Sequence, residues 1–290
     1  MFNKFYRSLC FRIPILYRVL LTFRTPKFSI KNKNSQLNLV ILSGKSQTDM
    51  LNQTLISIFK NFSTLPTIYL FLDKNCKSEE IKKKIKWAFD AGINFISAEE
   101  CISYHRNKGN LLVAEFADKN PMGLKLAAIL QIEELNIPLL YCDTDVLWFD
   151  DPTPKLIEFT KDPKLNMALS IDFQKSYDKN LLINGNLDIL TLPPYYCAGI
   201  LYIKTLTKNA KHNLNNLFQI VASKSNHFSE QTLFAYINRT EGDYHLDEDL
   251  FSIILDDVYS FIPKNRPNLI ARHYVGAVRH LFWRDAFFKL

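Results

Sequence analysis

The chain has 290 residues, 47% of them hydrophobic and 13% aromatic, enough to bury a full core and to exclude a disordered or fibrous chain. Its formal charge of +7 is a local property: residues 1–48 hold nine Lys or Arg and no acid, whereas the remainder holds 27 basic and 29 acidic residues. With no recognisable base-reading module, that distribution argues against nucleic acid as a partner, and eight glycines are too few for a fold of many tight β turns.

In the basic tail, Ile13, Leu16, Leu20 and Phe23 fall near one helical face, with Pro14 suited to a first turn and Arg12, Arg18 and Arg24 around it. The apolar stretch is too short to span a bilayer and is interrupted by Arg18. Residues 1–33 therefore read as an interfacial helix drawn to an anionic membrane surface. A plain basic arm, packed on the body or disordered, and an Arg-rich, acid-poor transit segment are alternatives left open. Five cysteines (Cys10, Cys76, Cys101, Cys142 and Cys197) form no Cys-x-x-Cys pair and follow no secretory signal, which points to a reducing cytoplasm and, with the tail, to the inner face of a membrane.

Beyond the arm, taken as residues 1–36, a single domain is expected over residues 37–290. Leu37–Leu42 reads as a first strand running into the polar turn Ser43-Gly44-Lys45-Ser46, and helical spacing follows from Met50 to Phe59. Strand, turn and helix open a mononucleotide-binding unit, with Ser43 and Gly44 nearest the nucleotide. Thr67–Leu72 is a second strand, Ser78–Ala91 a Lys-rich surface helix, Ile93–Ser97 a third strand, and Asn120-Pro121 opens a helix to about Leu135. After Asp150-Asp151-Pro152 the alternation weakens. Strands are expected at Asn166–Ile171 and Cys197–Ile203, a turn-rich segment over Asn180–Pro194, and helices near 206–223, 230–238 and 247–256. The fold class is α/β, with a nucleotide-binding half over residues 37–152 and, without a linker, a subdomain over residues 153–290 that completes the site.

Two segments carry the chemistry. Ile137–Cys142 reads as a buried parallel strand, and at its end come Asp143 and Asp145, two carboxylates placed by strand alternation on the same side. Ligand crevices of open α/β sheets lie at the carboxyl ends of strands, so the expected guest is Mn²⁺ or Mg²⁺ carrying a diphosphate. An Asp-x-Asp triplet alone is weak evidence, because Asp247-Glu248-Asp249 has the same spacing and reads as the acidic first turn of a helix. The second segment is His273-Tyr-Val-Gly-Ala-Val-Arg-His-Leu-Phe-Trp283. Neutral His273 can complete the coordination and tilts the preference toward Mn²⁺, Gly276 lets backbone approach phosphate, and Arg279 can grip phosphate oxygens. The bland reading makes this a terminal helix with Tyr274, Val278, Phe282 and Trp283 as core.

Together these motifs resemble the GT-A-fold glycosyltransferases, and most closely the glycogenin and lipopolysaccharide galactosyltransferase group, glycosyltransferase family eight. The resemblance spans about residues 37–284. It implies a mixed sheet flanked by helices, a nucleotide-diphosphate sugar donor, a glycan or lipid-linked acceptor, Mn²⁺ held by Asp143, Asp145 and His273, and diphosphate contacts from Gly276 and Arg279. It also implies that Lys125 lies beside the donor, that Asp172 touches the transferred sugar, that Ala198 and Gly199 pack against that sugar, and that Glu230-Gln231 places Gln231 near the anomeric carbon. It leans toward retention of configuration, although Asp172, Glu230 or Asp247 could serve as a base. Cys197 stands where the family usually has Asn, Arg279 where it has Lys, and no acid lies in Ser43–Ser46 for a base contact. Haloacid-dehalogenase-type phosphohydrolases also end a strand in Asp-x-Asp, but Leu147 occupies the place of their Thr or Val. A non-catalytic sugar-nucleotide binder is the remaining alternative.

Overall fold

The computed structural model describes residues 2–24, 26, 28 and 32–290. Its first segment, α1 (Phe2–Thr22), precedes four parallel strands, β1 (Lys33–Ser43), β2 (Leu65–Leu72), β3 (Asn94–Ser97) and β4 (Leu139–Cys142). The apolar runs explain why these strands are interior. In β1, Leu39 and Ile41 enter one core layer while Val40 and Leu42 enter the other, and in β4 Leu140 and Cys142 alternate in the same way with Leu139 and Tyr141. A three-residue strand, β5 (Val146–Trp148), follows β4, and the chain then rejoins the sheet as β6 (Met167–Asp172) and β7 (Tyr195–Ile203). The strand order is β3-β2-β1-β4-β7-β6, with β7 antiparallel to both neighbours.

One face of the sheet packs against α2 (Thr48–Asn61) and α3 (Ser78–Lys84), through Leu51, Leu55, Ile58 and Ile81. The other face packs against α4 (Ala98–Asn107), α5 (Leu111–Lys119) and α6 (Pro121–Glu133). The chain thus builds outward from β1 through β2 to β3, then crosses the opposite face to place β4 on the free side of β1. This is a topological switch point, where the carboxyl ends of β1 and β4 diverge and leave a crevice. Of the later helices, α7 (Thr153–Lys161) contributes Leu156 to the α2 side, whereas α8 (Lys179–Asn184), α9 (Lys208–Ser223) and α10 (Ser229–Thr240) join the α6 side.

A second sheet, in the order β5-β9-β8, is formed with β8 (Phe251–Ser252) and β9 (Ala271–His273), and α11 (Leu281–Lys289) ends the chain. Helices α1 and α11 pack together through Leu21, Leu281, Phe282 and Ala286. All five cysteines are free.

Several expectations are corrected. No helix forms over 247–256: the Asp247 carboxylate accepts the Asp249 N–H at 2.9 Å, closing a turn, and Phe251 is buried opposite Ala271 in β8. The Lys-rich helix stops at Lys84 and continues as a 3-10 turn, Lys86–Ala91. The turn-rich segment contains α8, and the unassigned stretch 98–119 contains α4 and α5. The start of α4 is set by a capping box in which Ser97 Oγ accepts the Glu100 N–H at 3.2 Å and Glu100 accepts the Ser97 N–H at 2.7 Å. Pro14 lies inside α1 rather than in its first turn, so one helical bond, to the Cys10 carbonyl, is lost there. The arm lies on the body, and β1 begins within it at Lys33. Leu16, Leu20 and Phe23 are exposed as the amphipathic reading requires, whereas Ile13 is half-buried.

Candidate metal and diphosphate site

Asp143 and Asp145 stand just past the strand end, as expected, but in the turn between β4 and β5, so a turn rather than strand alternation places them. Helix α2 fixes that turn from beneath. Thr54 Oγ1 donates to the Thr144 carbonyl at 2.7 Å, Ser57 Oγ accepts the Trp148 N–H at 3.0 Å, and Asn61 Nδ2 donates to the Trp148 carbonyl at 2.6 Å. These three polar side chains recur along one side of α2 and hold the backbone on either side of Asp145. The sequence reading passed over them, although polar residues spaced three and four apart on an otherwise apolar helical face were a visible signal.

The second sheet joins the late segment to this turn. Strand β9 pairs antiparallel with β5, setting His273 opposite Val146, and the Tyr274 N–H donates to the Asp145 carbonyl at 2.9 Å. His273 Nε2 consequently lies 3.2 Å from Asp145 Oδ1 and 3.7 Å from Asp143 Oδ2. One ligand atom from each of the three residues falls within 4.8 Å of the others, the one such group among the described residues. Two carboxylates and an imidazole are a donor set suited to a divalent cation. Arg279 donates to Asp145 Oδ2 from Nε at 3.0 Å and lies 2.9 Å from it through Nη2. Its side chain is half exposed.

The late segment is not one terminal helix, since α11 starts only at Leu281, but it supplies both core and site-facing side chains. Tyr274, Val278 and Phe282 are core and Trp283 is partly buried, while His273 and Arg279 face the carboxylates. Arg272 points away from the site into a buried cluster with Asp257, Asp285 and Arg284, which ties β9 to α11.

Ala198 and Gly199 sit where β7 bulges: β6 pairs Leu169 with Leu201 but Ser170 with Cys197, and the Gly199 carbonyl accepts the Asp143 N–H at 2.8 Å. Gly199 is required by the imidazole. A Cβ there would lie 2.1 Å from His273 Cε1, so any side chain would displace the ring. Cys197 Sγ approaches His273 Nδ1 at 3.4 Å, the position from which a neighbour fixes a ligand's ring orientation. Burial opposes a charged imidazole, but the Cys197 sulfur and the Asp145 carboxylate raise the His273 pKa well above its ordinary value. Burial likewise pushes the Asp145 carboxyl up, and His273 and Arg279 together carry it below the usual range. Ligation of a cation through Nε2 therefore releases a proton, and binding should weaken as pH falls.

Lys125 is buried beneath the carboxylates, donating to the Ala198 carbonyl at 2.9 Å and lying 3.3 Å from Asp143 Oδ1 and 3.2 Å from Glu230 Oε1. Burial lifts the Glu230 carboxyl to about 7, against the pull of Lys125. Tyr141 Oη donates to Asp143 Oδ1 at 2.6 Å. Gln231 Oε1 accepts the Ala198 N–H at 3.4 Å and its Nε2 donates to the Ser176 carbonyl at 2.9 Å, so the amide is held beside the bulge. Asp172 is buried at the end of β6 and accepts the Gln174 N–H at 3.3 Å; burial raises its carboxyl.

Ser43 and Gly44 lie at the carboxyl end of β1, on the other lip of the crevice, and Gly276 has open space where a Cβ would stand. Beside Gly44 is Asp73, at the end of β2, whose Oδ2 would be 3.7 Å from a Cβ on that glycine. An acid absent from the Ser43–Ser46 turn is thus supplied by the neighbouring strand. Strand adjacency, not spacing along the chain, would have identified it. Asp247, a candidate base on sequence grounds, belongs to the turn before β8, beside Lys155 and His245.

Solved structures similar to this chain are glycosyltransferases. Mouse xyloside xylosyltransferase 1 superposes with a TM-score of 0.57 at 12% identity, over 86% of this chain and 99% of that one. The bifunctional glycosyltransferase WbbM gives 0.56 at 10% identity, over 91% of this chain and 51% of its own. Galactosyltransferase LgtC, in complex with donor and acceptor sugar analogues, gives 0.51 at 14% identity over 87% and 97%. At such identities the likeness establishes the fold, which is that of the GT-A glycosyltransferases. No curated protein sequence matches the chain. Residues 102–263, more than half of its length, match the nucleotide-diphospho-sugar transferases, and the chain belongs to that family.

Proposed function

We propose that this glycosyltransferase depends on Mn²⁺, or Mg²⁺ in its place, held by Asp143, Asp145 and His273, and that it moves a hexosyl group from a nucleotide-diphosphate sugar to a hydroxyl of a glycan or lipid-linked acceptor. The observation that carries this is the convergence of three ligand atoms within 4.8 Å, from segments about 130 residues apart, at the switch point of the sheet. When bound, the cation neutralises the diphosphate and supplies Lewis-acid stabilisation as the sugar departs. Arg279 turns from Asp145 to the diphosphate oxygens and stabilises the charge that develops on them. Gly276 admits the phosphate, Ser43 and Gly44 border the nucleoside, and Lys125 keeps Asp143 and Glu230 in place from below.

The acceptor oxygen attacks the anomeric carbon while the bond from that carbon to the diphosphate oxygen breaks, its electron pair leaving with the diphosphate, and the acceptor's hydroxyl proton passes to a departing diphosphate oxygen. Gln231 and the Ala198–Gly199 bulge lie against the transferred sugar, with Asp172 at its edge. Retention, as in glycosyltransferase family eight, is favoured by the engagement of Glu230 with Lys125, which leaves it a positioning residue. The setting proposed is the cytoplasmic face of a membrane, in the assembly of cell-envelope polysaccharide. No helix among the described residues is long and apolar enough to cross a membrane, and the contact would be peripheral, through residues 1–33.

Screening nucleotide sugars for thermal stabilisation checks this reading. One donor is expected to raise Tm by several degrees with Mn²⁺ and by little with a chelator present. Stabilisation by none, with or without metal, would contradict it. Metal-dependent stabilisation without hydrolysis or transfer would instead identify a binding protein.

A further inference from the structure

Helix α1 is unusual in what it shows to solvent. Cys10, Pro14 and Leu21 are buried against the body, and Tyr17 stacks on Phe287 with ring centroids 4.7 Å apart. The opposite side leaves Ile15, Leu16, Val19 and Leu20 about half exposed, and Phe23, just past its end, is 80% exposed. A soluble surface does not ordinarily gather so many large apolar side chains on one side of a helix.

Beside α1 lies a cavity of about 500 Å³ toward α2 and α3, lined by five basic side chains, Arg18, Arg24, Lys83, Lys84 and Lys86, and by a single carboxylate, Asp49. Asp49 is satisfied by Arg18 Nη2 at 2.6 Å and Lys84 Nζ at 2.8 Å, and Arg18 also lies over the Trp283 ring at 5.2 Å. Lys83 and Lys86 have no acidic partner among the described residues, and both are exposed. The positive charge is therefore in excess. A second cavity, of about 590 Å³, adjoins the first and shares Leu21, Arg24, Pro26 and Gln53 with it; Phe28, Ile56 and Leu290 add apolar wall, and Lys60 stands at its side. A cationic compartment continues into a more apolar one, beside a helix with exposed hydrocarbon.

We propose that α1 and these two cavities form a docking surface for an anionic phospholipid bilayer, in which a phosphate-bearing headgroup occupies the cationic cavity and acyl chain the apolar one. Charge complementarity selects this occupant: a neutral protein surface would cover the apolar residues of α1 but would leave Lys83 and Lys86 unpaired. The docking surface deepens the peripheral-membrane reading and is independent of the transfer chemistry.

The full-length protein is tested by co-sedimentation with vesicles of phosphatidylcholine alone and with added phosphatidylglycerol, beside a Lys83→Ala/Lys86→Ala variant and a Leu16→Ser/Phe23→Ser variant. Preference for the anionic vesicles is expected, with each double variant losing about tenfold or more in partitioning. Mn²⁺-dependent donor hydrolysis in solution should be unchanged in both, so failure of the membrane site and failure of the transferase reading give different results. Equal binding to both vesicle types, or unchanged partitioning of the lysine variant, would overturn the proposal. So would saturation of the cavity by inorganic phosphate without vesicle binding, or a concentration-dependent dimer that the Leu16→Ser/Phe23→Ser change dissolves.

Discussion

Replacing Asp145 with alanine is expected to abolish Mn²⁺-dependent binding of nucleoside diphosphate and to lower transfer on the order of a thousandfold, with little change in Tm. Asp145 is the residue through which the two halves of the site meet, since its carboxylate faces His273 on one oxygen and Arg279 on the other. Its loss removes an anionic ligand and, with it, the orientation of a second ligand. Several kcal/mol of leaving-group stabilisation go with the cation, and about 4 kcal/mol corresponds to a thousandfold in rate. The fold is spared for a specific reason. Arg279 is half exposed and can return to water, and His273, relieved of Asp145, can give up its proton, so no buried charge is stranded. The backbone at this position is held independently by the Tyr274 N–H and by Thr54 beneath Thr144. Calorimetric titration of Mn²⁺ and nucleoside diphosphate checks this, and unchanged affinity would remove Asp145 from the metal site.

Asp257→Ala is expected to have the opposite profile, with a large loss of stability and activity failing only as the fold fails. Asp257 accepts from Arg272 Nη2 at 2.7 Å and Nη1 at 3.0 Å and from Arg284 Nη2 at 2.7 Å, all within the core. Without it two buried guanidinium groups share Asp285 alone. Removing one partner from such a network costs about 3–5 kcal/mol, a fall in Tm of roughly 10 °C. Burial pushes the Asp257 carboxyl up, but Arg272 and Arg284 outweigh it and hold it down at about 2. Its contribution is therefore present above the ordinary carboxylate pKa and is lost as pH falls toward 2. Chemical denaturation of the variant at neutral pH provides the measurement; a loss below about 1 kcal/mol would show that the cluster adds little to the fold. Because Arg272 precedes His273 in β9, this cluster also sets which way the histidine faces.

These two residues illustrate how unevenly the molecule can be read from its sequence. Leu37–Leu42 and Leu139–Cys142 were legible because a buried parallel strand needs an unbroken apolar run, and Asp143 and Asp145 because charge at the end of such a run requires a reason. His273, Gly276 and Arg279 were legible as chemistry within one short segment. The meeting of His273 and Arg279 with Asp145 was implied only by the resemblance and not by periodicity, because it depends on β5 and β9, strands of three residues each that leave no periodic trace. Asp257 gave no signal at all, since its importance lies in two arginines brought to it by folding. Gly199 was read as a small residue against a sugar, yet the nearest demand on it is the His273 ring. The segment 247–256 misled because an acidic cluster before apolar residues describes a helix start and a capped turn before a buried strand equally well. For α4, by contrast, the Ser97 and Glu100 capping pair was available in the sequence and was passed over.

The central claim is that Asp143, Asp145 and His273 bind one metal ion that carries the donor's diphosphate. The most direct test is anomalous diffraction at the manganese edge from crystals grown with Mn²⁺ and a nucleoside diphosphate. A single peak coordinated by all three side chains, with diphosphate oxygens on its open side and Arg279 turned toward them, is the predicted result. Manganese bound elsewhere, or nucleotide bound at the ends of β1 and β4 with no metal between those three residues, would contradict it.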